Sequence, residues 1–544
     1  MRRDLIRLAE GRFDLLVIGG GIHGAGIARD AALRGLRVGL VERDDFGSGT
    51  SGRSTKLIHG GLRYLEQRRI FQVRAALRER AVLLRIAPHL VRPLPFLLPI
   101  YADDPHSRTA LRAGLWLYDQ MGGRDGMPGH QFLDAPDAER VLPGIRMEGL
   151  RGAAMYHDAV TDDRRLTVLN LLAAADHGAS LANHAEVESI RADQDGLLRV
   201  AIADRLQGGA LEARARAIVN ATGPWADRLA ALADPDGAPR LRPSRGAHLA
   251  LPRLTGETAV LFRSPDDGRV MLAVPWEGLT LIGTTETDDA EDPADVSPTD
   301  ADIEYLLRGA RHLLAGTPIA DRDLLFAFAG LRPLLTAGAR HLSAATREAR
   351  LVPSRAFGPR LLSVYGGKLT SYRDLARQAV DRIAKVAGMP TTGGCQTGAQ
   401  PLPGGEVPGG DFLAFLSAAP RTAAARGLDA RLVLSLATRH GGRLQTVLEL
   451  AHAAPELMQR LCNHGPTLRA EVALAADTEM AVTLTDALLG RTGAAFRSCQ
   501  ALHCAPAAAE ILGARLGWDA ARRDAEVARY RERLRLERGA RFVP

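Results

Sequence analysis

The 544 residues, 46% of them hydrophobic, are enough for a large core and for two or three domains. A formal net charge of +7 admits an anionic partner, but the basic residues are spread along the chain. No helix-turn-helix, RNA-binding or zinc pattern accompanies them, which argues against a nucleic-acid-binding protein. No apolar run reaches the roughly 18 residues that span a bilayer. Cys395, Cys462, Cys499 and Cys504 form no C-x-x-C and no metal-ligand spacing, so the expectation is a reduced compartment and no metal. Lysine occurs only as Lys56, Lys368 and Lys385, and arginine supplies the rest of the 70 basic residues. Lys385 belongs to a helical pattern. Lys56 and Lys368 lie in glycine-rich loops and are candidates for sites that need a compact ammonium.

The start, MRRDLIRLAEGRFDLLVIGGG, sets basic residues before an apolar run, but that run is short for a signal segment and flows into a glycine loop. Asp14 to Ile18 predicts a buried parallel strand. Gly19, Gly21 and Gly24 then form G-x-G-x-x-G: a sharp turn, a close approach for pyrophosphate, and tight helix–strand packing. The helix Ile22 to Leu33 turns its N-terminal amides toward the phosphates. Arg37 to Val41 is a second strand, and Glu42 ends it where a ribose hydroxyl can donate to it. Together these predict dinucleotide binding without choosing between NAD and FAD.

The loop RDDFGSGTSGRSTKLIHGGLRYLEQ follows, with Ser51, Ser54, Thr55, Lys56, His59, Arg63 and Tyr64 in one span, and then a charged helix over 68–86. VRPLPFLLPI is apolar but broken by Pro93, Pro95 and Pro99, so it is no long helix. In SRTALRAGLWLYDQM, Leu111, Leu115 and Tyr118 share a helical face, with Trp116 and Leu117 beside it and Arg108 and Arg112 nearby, which suits a membrane surface or an ordinary core. Asp162 and Asp163 precede a helix and read as caps. AIVNATGPWADRLAAL repeats the strand–turn–helix pattern, with Thr222-Gly223 in the turn. Four β-rich runs over 245–287 predict a mainly antiparallel sheet inserted in the first domain. A helix near 300–315 and a loop FAGLRPLL (328–335) come next. LLSVYGGKLTSYRDLARQAVDRIAKVAG is a third strand–glycine–helix unit, with Gly367, Lys368 and Thr370 at its turn. PLPGGEVPGG is a linker, and 411–544 is helical throughout.

The stretches VIGGGIHGAGIARDAALRGLRVGLVE, STKLIHGGLRYLE, VNATGPW, VPWEGLTLIGTTETD, GLRPLL and LLSVYGGKLTSYR, in this order, resemble the FAD-dependent glycerol-3-phosphate dehydrogenases. The resemblance runs through nearly the whole chain, and Gly52-Arg53 departs from the small residues expected there. It implies an α/β fold: a Rossmann-like FAD-binding domain (10–90, 150–232 and 350–390), an inserted mainly antiparallel β substrate domain (91–149 and 233–349), and a C-terminal all-helical domain (400–544). It implies FAD as cofactor, glycerol 3-phosphate as substrate, membrane quinone as acceptor and peripheral attachment to the cytoplasmic face of the inner membrane through 91–121. A homodimer is compatible with it. Rival readings are a soluble α-glycerophosphate oxidase using O2 and, further off, an amino-acid oxidase.

The resemblance also implies site residues. Gly19, Gly21, Gly24, Glu42, Ser51, Thr55, Lys56, Thr222, Gly223, Gly367, Lys368 and Thr370 would hold the cofactor. Arg63, Arg269, Arg332 and Lys368 would form an anion pocket for the phosphate, and Tyr64 would hydrogen-bond the substrate. His59 or His248 would take the hydroxyl proton, and Lys368 would place positive charge near the reduced flavin.

Overall fold

The strand Arg12–Ile18 has six consecutive buried residues, Phe13 to Ile18, so it can only be an interior strand. It pairs in parallel with Val38–Val41 on one side and Ala210–Asn220 on the other, with Ile18 opposite both Val41 and Asn220. Leu361–Tyr365 joins Ala210–Asn220, again in parallel. The computed structural model describes residues 1–543 apart from 106, 124–125, 290–291 and 336–347. The last of these segments falls within the expected substrate domain and lies outside the described residues.

Because these strands run the same way, the glycine turns that follow them, at 19–21, 222–223 and 366–367, arrive at one edge of the sheet. The helices Ile22–Leu33, Asp163–Asp176 and Tyr372–Val386 bury their apolar residues in one cluster against this sheet. Asp162 caps the second of them by accepting from the Arg165 amide at 3.0 Å, as the sequence predicts.

The second sheet is larger than the four runs read from sequence. Among the described residues it has ten strands and includes Arg92–Tyr101, Leu150–Val160 and Phe326–Leu335. Leu150–Val160 pairs with Arg92–Tyr101 rather than with the nucleotide-binding strands. GLRPLL is likewise not a loop. Phe326–Leu335 pairs residue for residue with Leu241–Pro252, and Ser244 stands opposite Arg332. The reason is that ten residues of continuous ladder satisfy the backbone polar groups that a loop would leave to water.

Residues beyond Asp411 are helical, as expected, from Phe412–Ala425 to Ala520–Arg538. Buried ion pairs dock this region onto the rest of the chain. Arg491 grips Asp45 at 2.6 and 2.7 Å, and Arg165 pairs with Glu479. The departure at Arg53 has its explanation here: Arg53 is buried and pairs with Glu537 of the last helix at 2.9 Å.

Candidate active site

A cleft of about 390 Å³ opens at the edge where the glycine turns meet. Gly19, Gly21, Glu42, Ser51, Thr222, Gly223, Gly367 and Lys368 all line it. Gly24 lies beneath it: a Cβ there would stand 1.9 Å from the Gly19 carbonyl oxygen, so only glycine lets the helix start this close to the strand. Ser51 Oγ accepts from the Ile22 amide at 2.9 Å and so ties the serine-rich loop to the helix N-terminus. Asn220 sets the second turn, accepting from the Thr222 hydroxyl at 2.7 Å.

Glu42 accepts from the Gly20 and Asp44 amides at 2.7 and 2.9 Å. Burial nevertheless pushes its pKa up to about 7, helped by the charges of Asp44 and Asp45. A hydroxyl donor arriving in the cleft would stabilise the ionised form.

His23, inside the G-x-G-x-x-G run, is a cleft residue that the sequence reading passed over. Gly367 has φ +105, and a Cβ on it would lie 2.3 Å from His23 Cε1, so the third glycine turn closes directly onto this ring. Burial holds His23 neutral, with a pKa of about 4, and its Nε2 is a buried polar atom with no hydrogen-bond partner among the described residues. Trp225, with Arg43 stacked 5.4 Å from its ring, and Val187 line the cleft as well. Trp225 ends the VNATGPW stretch, whereas Val187, inside the strand Ala185–Ala192, had no sequence signal.

Several expected cofactor contacts are placed elsewhere. Lys56 is fully buried: its Nζ donates to Asp163 at 2.6 Å and to the Gly52 carbonyl at 2.9 Å. The rings of Trp276, Phe328 and Phe496 surround the ammonium at 5.0–5.8 Å. The site is compact and cationic, as the retained lysine implied, but it is a structural cage outside the cleft. Thr370 brackets His59, its hydroxyl accepting from the His59 amide at 3.1 Å. Thr55 reaches His248, Oγ1 to Nε2 at 2.9 Å.

His248 is stacked on Phe328, with ring centroids 5.0 Å apart. Burial pushes its pKa down to about 3, and the cations Arg332 and Lys56 add to the effect, so the ring is neutral. Its Nδ1 has no hydrogen-bond partner among the described residues. Arg332 is held nearby, donating to Thr284 Oγ1 at 2.7 Å and to the Thr285 carbonyl at 3.1 Å. Arg269 approaches the same segment, donating to the Glu286 carbonyl at 3.3 Å. Pro333, next to Arg332, lines the cleft with Lys368, whose ammonium lies 3.9 Å from the Tyr64 ring centroid. Arg63 does not join them in the cleft; it lines a separate groove beside the helix Arg108–Gly122. His59 is exposed.

Parallel central strands with three glycine turns at one edge, and a carboxylate at the end of the second strand, define a dinucleotide-binding fold. The family model for FAD dependent oxidoreductases matches residues 14–373, and that for the C-terminal domain of alpha-glycerophosphate oxidase matches 395–523. The chain is 37% identical to "Glycerol-3-phosphate dehydrogenase 2" of Mycobacterium bovis over 98% of its length and 89% of the relative's. It is 34% identical to the human mitochondrial glycerol-3-phosphate dehydrogenase over 97% of its length and 74% of the relative's. The solved structure of the glycerol-3-phosphate dehydrogenase from Bacillus halodurans complexed with FAD superimposes with a TM-score of 0.80 at 32% identity, covering 98% of this chain and 96% of that one. The chain belongs to the FAD-dependent glycerol-3-phosphate dehydrogenase family.

Proposed function

We propose that this chain binds FAD in the glycine-lined cleft, oxidises sn-glycerol 3-phosphate to dihydroxyacetone phosphate, and delivers the electrons to membrane quinone. The residues present fit the cofactor. Gly21 leaves open the approach to the helix N-terminus, Glu42 awaits a hydroxyl donor, and His23 Nε2 is a buried polar atom in need of a partner. Bound FAD supplies a two-electron acceptor for the hydride that leaves C2 of the substrate.

The observation that carries the substrate reading is Arg332. Its guanidinium is fixed by side-chain and backbone oxygens beside His248 and next to the cleft wall. A planar, pre-positioned fork suits a phosphate better than a mobile lysine does. His248 is the better supported proton acceptor: it is buried, oriented by Thr55 and Phe328, and neutral, with one ring nitrogen still to be satisfied. A substrate phosphate beside Arg332 would offset the repulsion that lowers its proton affinity. His59, exposed and held at its backbone by Thr370, lies at the protein surface.

For Arg332→Ala we expect the apparent substrate constant for glycerol 3-phosphate to rise about 10- to 150-fold, the equivalent of a charge-assisted contact of roughly 1.5–3 kcal/mol. Arg332→Lys should recover part of the loss. Glycerol, without a phosphate, is the control. If both substrates weaken by the same factor while flavin content holds, Arg332 is not the phosphate ligand. Stoichiometric hydrogen peroxide without added quinone would move the reading to an oxidase.

A further inference from the structure

Three of the four cysteines, Cys462, Cys499 and Cys504, lie on two loops of the C-terminal domain. Cys462 lies in a tight loop closed by the Arg460–Leu468 bridge and by the Leu461 amide donating to the Thr467 carbonyl at 2.7 Å. Cys499 opens a second loop that runs to Cys504, just before the helix Ala505–Leu516. The ligand atoms of Cys462, His464 and Cys499 all lie within 4.8 Å of one another. The Cys462 and Cys499 sulfurs are 3.9 Å apart. A disulfide needs about 2.05 Å, whereas two thiolates sharing a tetrahedral zinc, each at about 2.3 Å, stand about 3.8 Å from each other. Cys504 ends the second loop, its thiol donating to the Ala501 carbonyl at 3.5 Å.

After Cys499 the second loop turns through two successive non-glycine residues in the left-handed region, Gln500 at φ 50 and Ala501 at φ 58. That conformation is uncommon for one residue and costly for two. It is held from outside by Tyr530, which donates to the Gln500 carbonyl at 2.6 Å, and by Gln500 Nε2, which donates to the Phe542 carbonyl at 2.6 Å. Another cluster of donors, Asp45, His184 and Asp486, is already committed: Arg491 takes both Asp45 oxygens, and Asp486 accepts from the Val482 and Thr483 amides.

We propose that Cys462, His464 and Cys499 bind one zinc-class divalent ion that pins the 460–468 loop to the 499–504 loop. Mixed thiolate and imidazole donors select zinc over the hard cations. Binding requires the thiols to ionise, so the ion displaces protons as it enters and the affinity rises with pH.

The test uses the full-length flavoprotein expressed with zinc in the medium and washed with a chelator. The expected result is one zinc per chain by elemental analysis, with a zinc-edge spectrum showing a sulfur shell at about 2.3 Å. An organomercurial that caps the thiols should release the metal while FAD remains bound. Cys462→Ser and Cys499→Ser should each lose zinc and keep FAD. Should a serine variant fail to fold, the spectrum and the mercurial release on the unmodified chain still decide. Metal-free protein whose thiols all react under native conditions, or protein with a Cys462–Cys499 disulfide by mass, overturns the proposal.

Discussion

Glu42 carries opposing demands in one side chain. Two amides hold it as an acceptor, yet burial and the neighbouring Asp44 and Asp45 push its pKa up to about 7. Near neutrality the cofactor-free protein is therefore a mixture of protonated and ionised Glu42. A ribose hydroxyl favours the ionised form, so binding releases a proton below pH 7. Apparent FAD affinity should then improve about five- to tenfold between pH 6 and pH 8, because only the competent fraction binds. Glu42→Gln should bind more weakly with a flat pH profile. Equal dissociation constants for the unmodified protein at both pH values, by flavin fluorescence titration, would sink the argument. Residues of this kind were legible because their demands are local: a glycine that must approach a carbonyl, or an acid at a strand end. Lys56 was not legible in the same way. A lysine in a polar loop reads as exposed, and only tertiary packing of Trp276, Phe328 and Phe496 around it makes it a buried partner of Asp163.

At the scale of elements, the helix Arg108–Gly122 divides the residues expected to face a membrane into a buried and an exposed set. Leu115 and Tyr118, on the face first read as suited to lipid, are 1% and 2% exposed, and Tyr118 donates to Asp158. The outward residue is Trp116, 58% exposed, and Phe71, near the start of the adjacent helix Ile70–Ile86, is 88% exposed. Arg68, Arg69, Arg108 and Arg112 accompany them in sequence, a combination of aromatic and basic residues that suits an anionic lipid surface. Among the described residues no helix is long and apolar enough to cross a membrane. We expect Trp116→Ser with Phe71→Ser to reduce co-sedimentation with anionic phospholipid vesicles and quinone-linked turnover, while flavin bleaching by substrate and the thermal midpoint hold. Leu115→Ser should instead destabilise the fold by about 2–5 kcal/mol. Vesicle binding unchanged by the surface pair at low and high salt would remove these helices from the membrane contact. The parallel core, its helices and the helical C-terminus could be read from periodicity. The strand Arg92–Tyr101 could not, because three prolines masked it. Pro93, Pro95 and Pro99 are spaced by even numbers, so their missing donors all fall on one side of the strand, while Leu150–Val160 pairs along the other. Its second neighbour, Ala259–Arg263, pairs only at Phe96 and Leu97.

The whole molecule is held together by buried charge in one place and by buried neutrality in another, and acid separates the two. Glu479 and Glu537, paired with Arg165 and Arg443 and with Arg53 and Arg533, are held well below the ordinary carboxylate range despite burial. A carboxyl with a depressed folded pKa contributes stability above its unfolded value of about 4.5 and loses it only below that. These clamps between the helical domain and the rest therefore stay intact at pH 5. Histidines behave differently. His23, His89 and His248 are buried and neutral, with pKa values of about 4, 3 and 3 against an unfolded value of 6.5. Their contribution is present above pH 6.5 and is lost as pH falls from there toward the folded values. At pH 5 each has given up about 2 kcal/mol, because the unfolded chain takes the proton and the folded chain refuses it. His184, whose pKa Asp486 raises in spite of burial, and Glu42, which takes up its proton in the fold near pH 7, work in the opposite direction and reduce the fall without cancelling it. The prediction is that stability falls between pH 7.5 and pH 5, before any carboxylate clamp opens. His89 is the residue on which to test it. It lies outside the cofactor cleft, is 1% exposed, and has both ring nitrogens without a hydrogen-bond partner among the described residues. Burial sets its low pKa first, and Arg165, His440 and Arg443 deepen it. His89→Leu removes the titration without removing a hydrogen bond, so the variant should lose less stability than the parent between those two pH values, by about 2 kcal/mol in the denaturant-unfolding free energy. A parent protein equally stable at both pH values, or a variant with the same pH dependence as the parent, would show that these rings take up protons in the folded state.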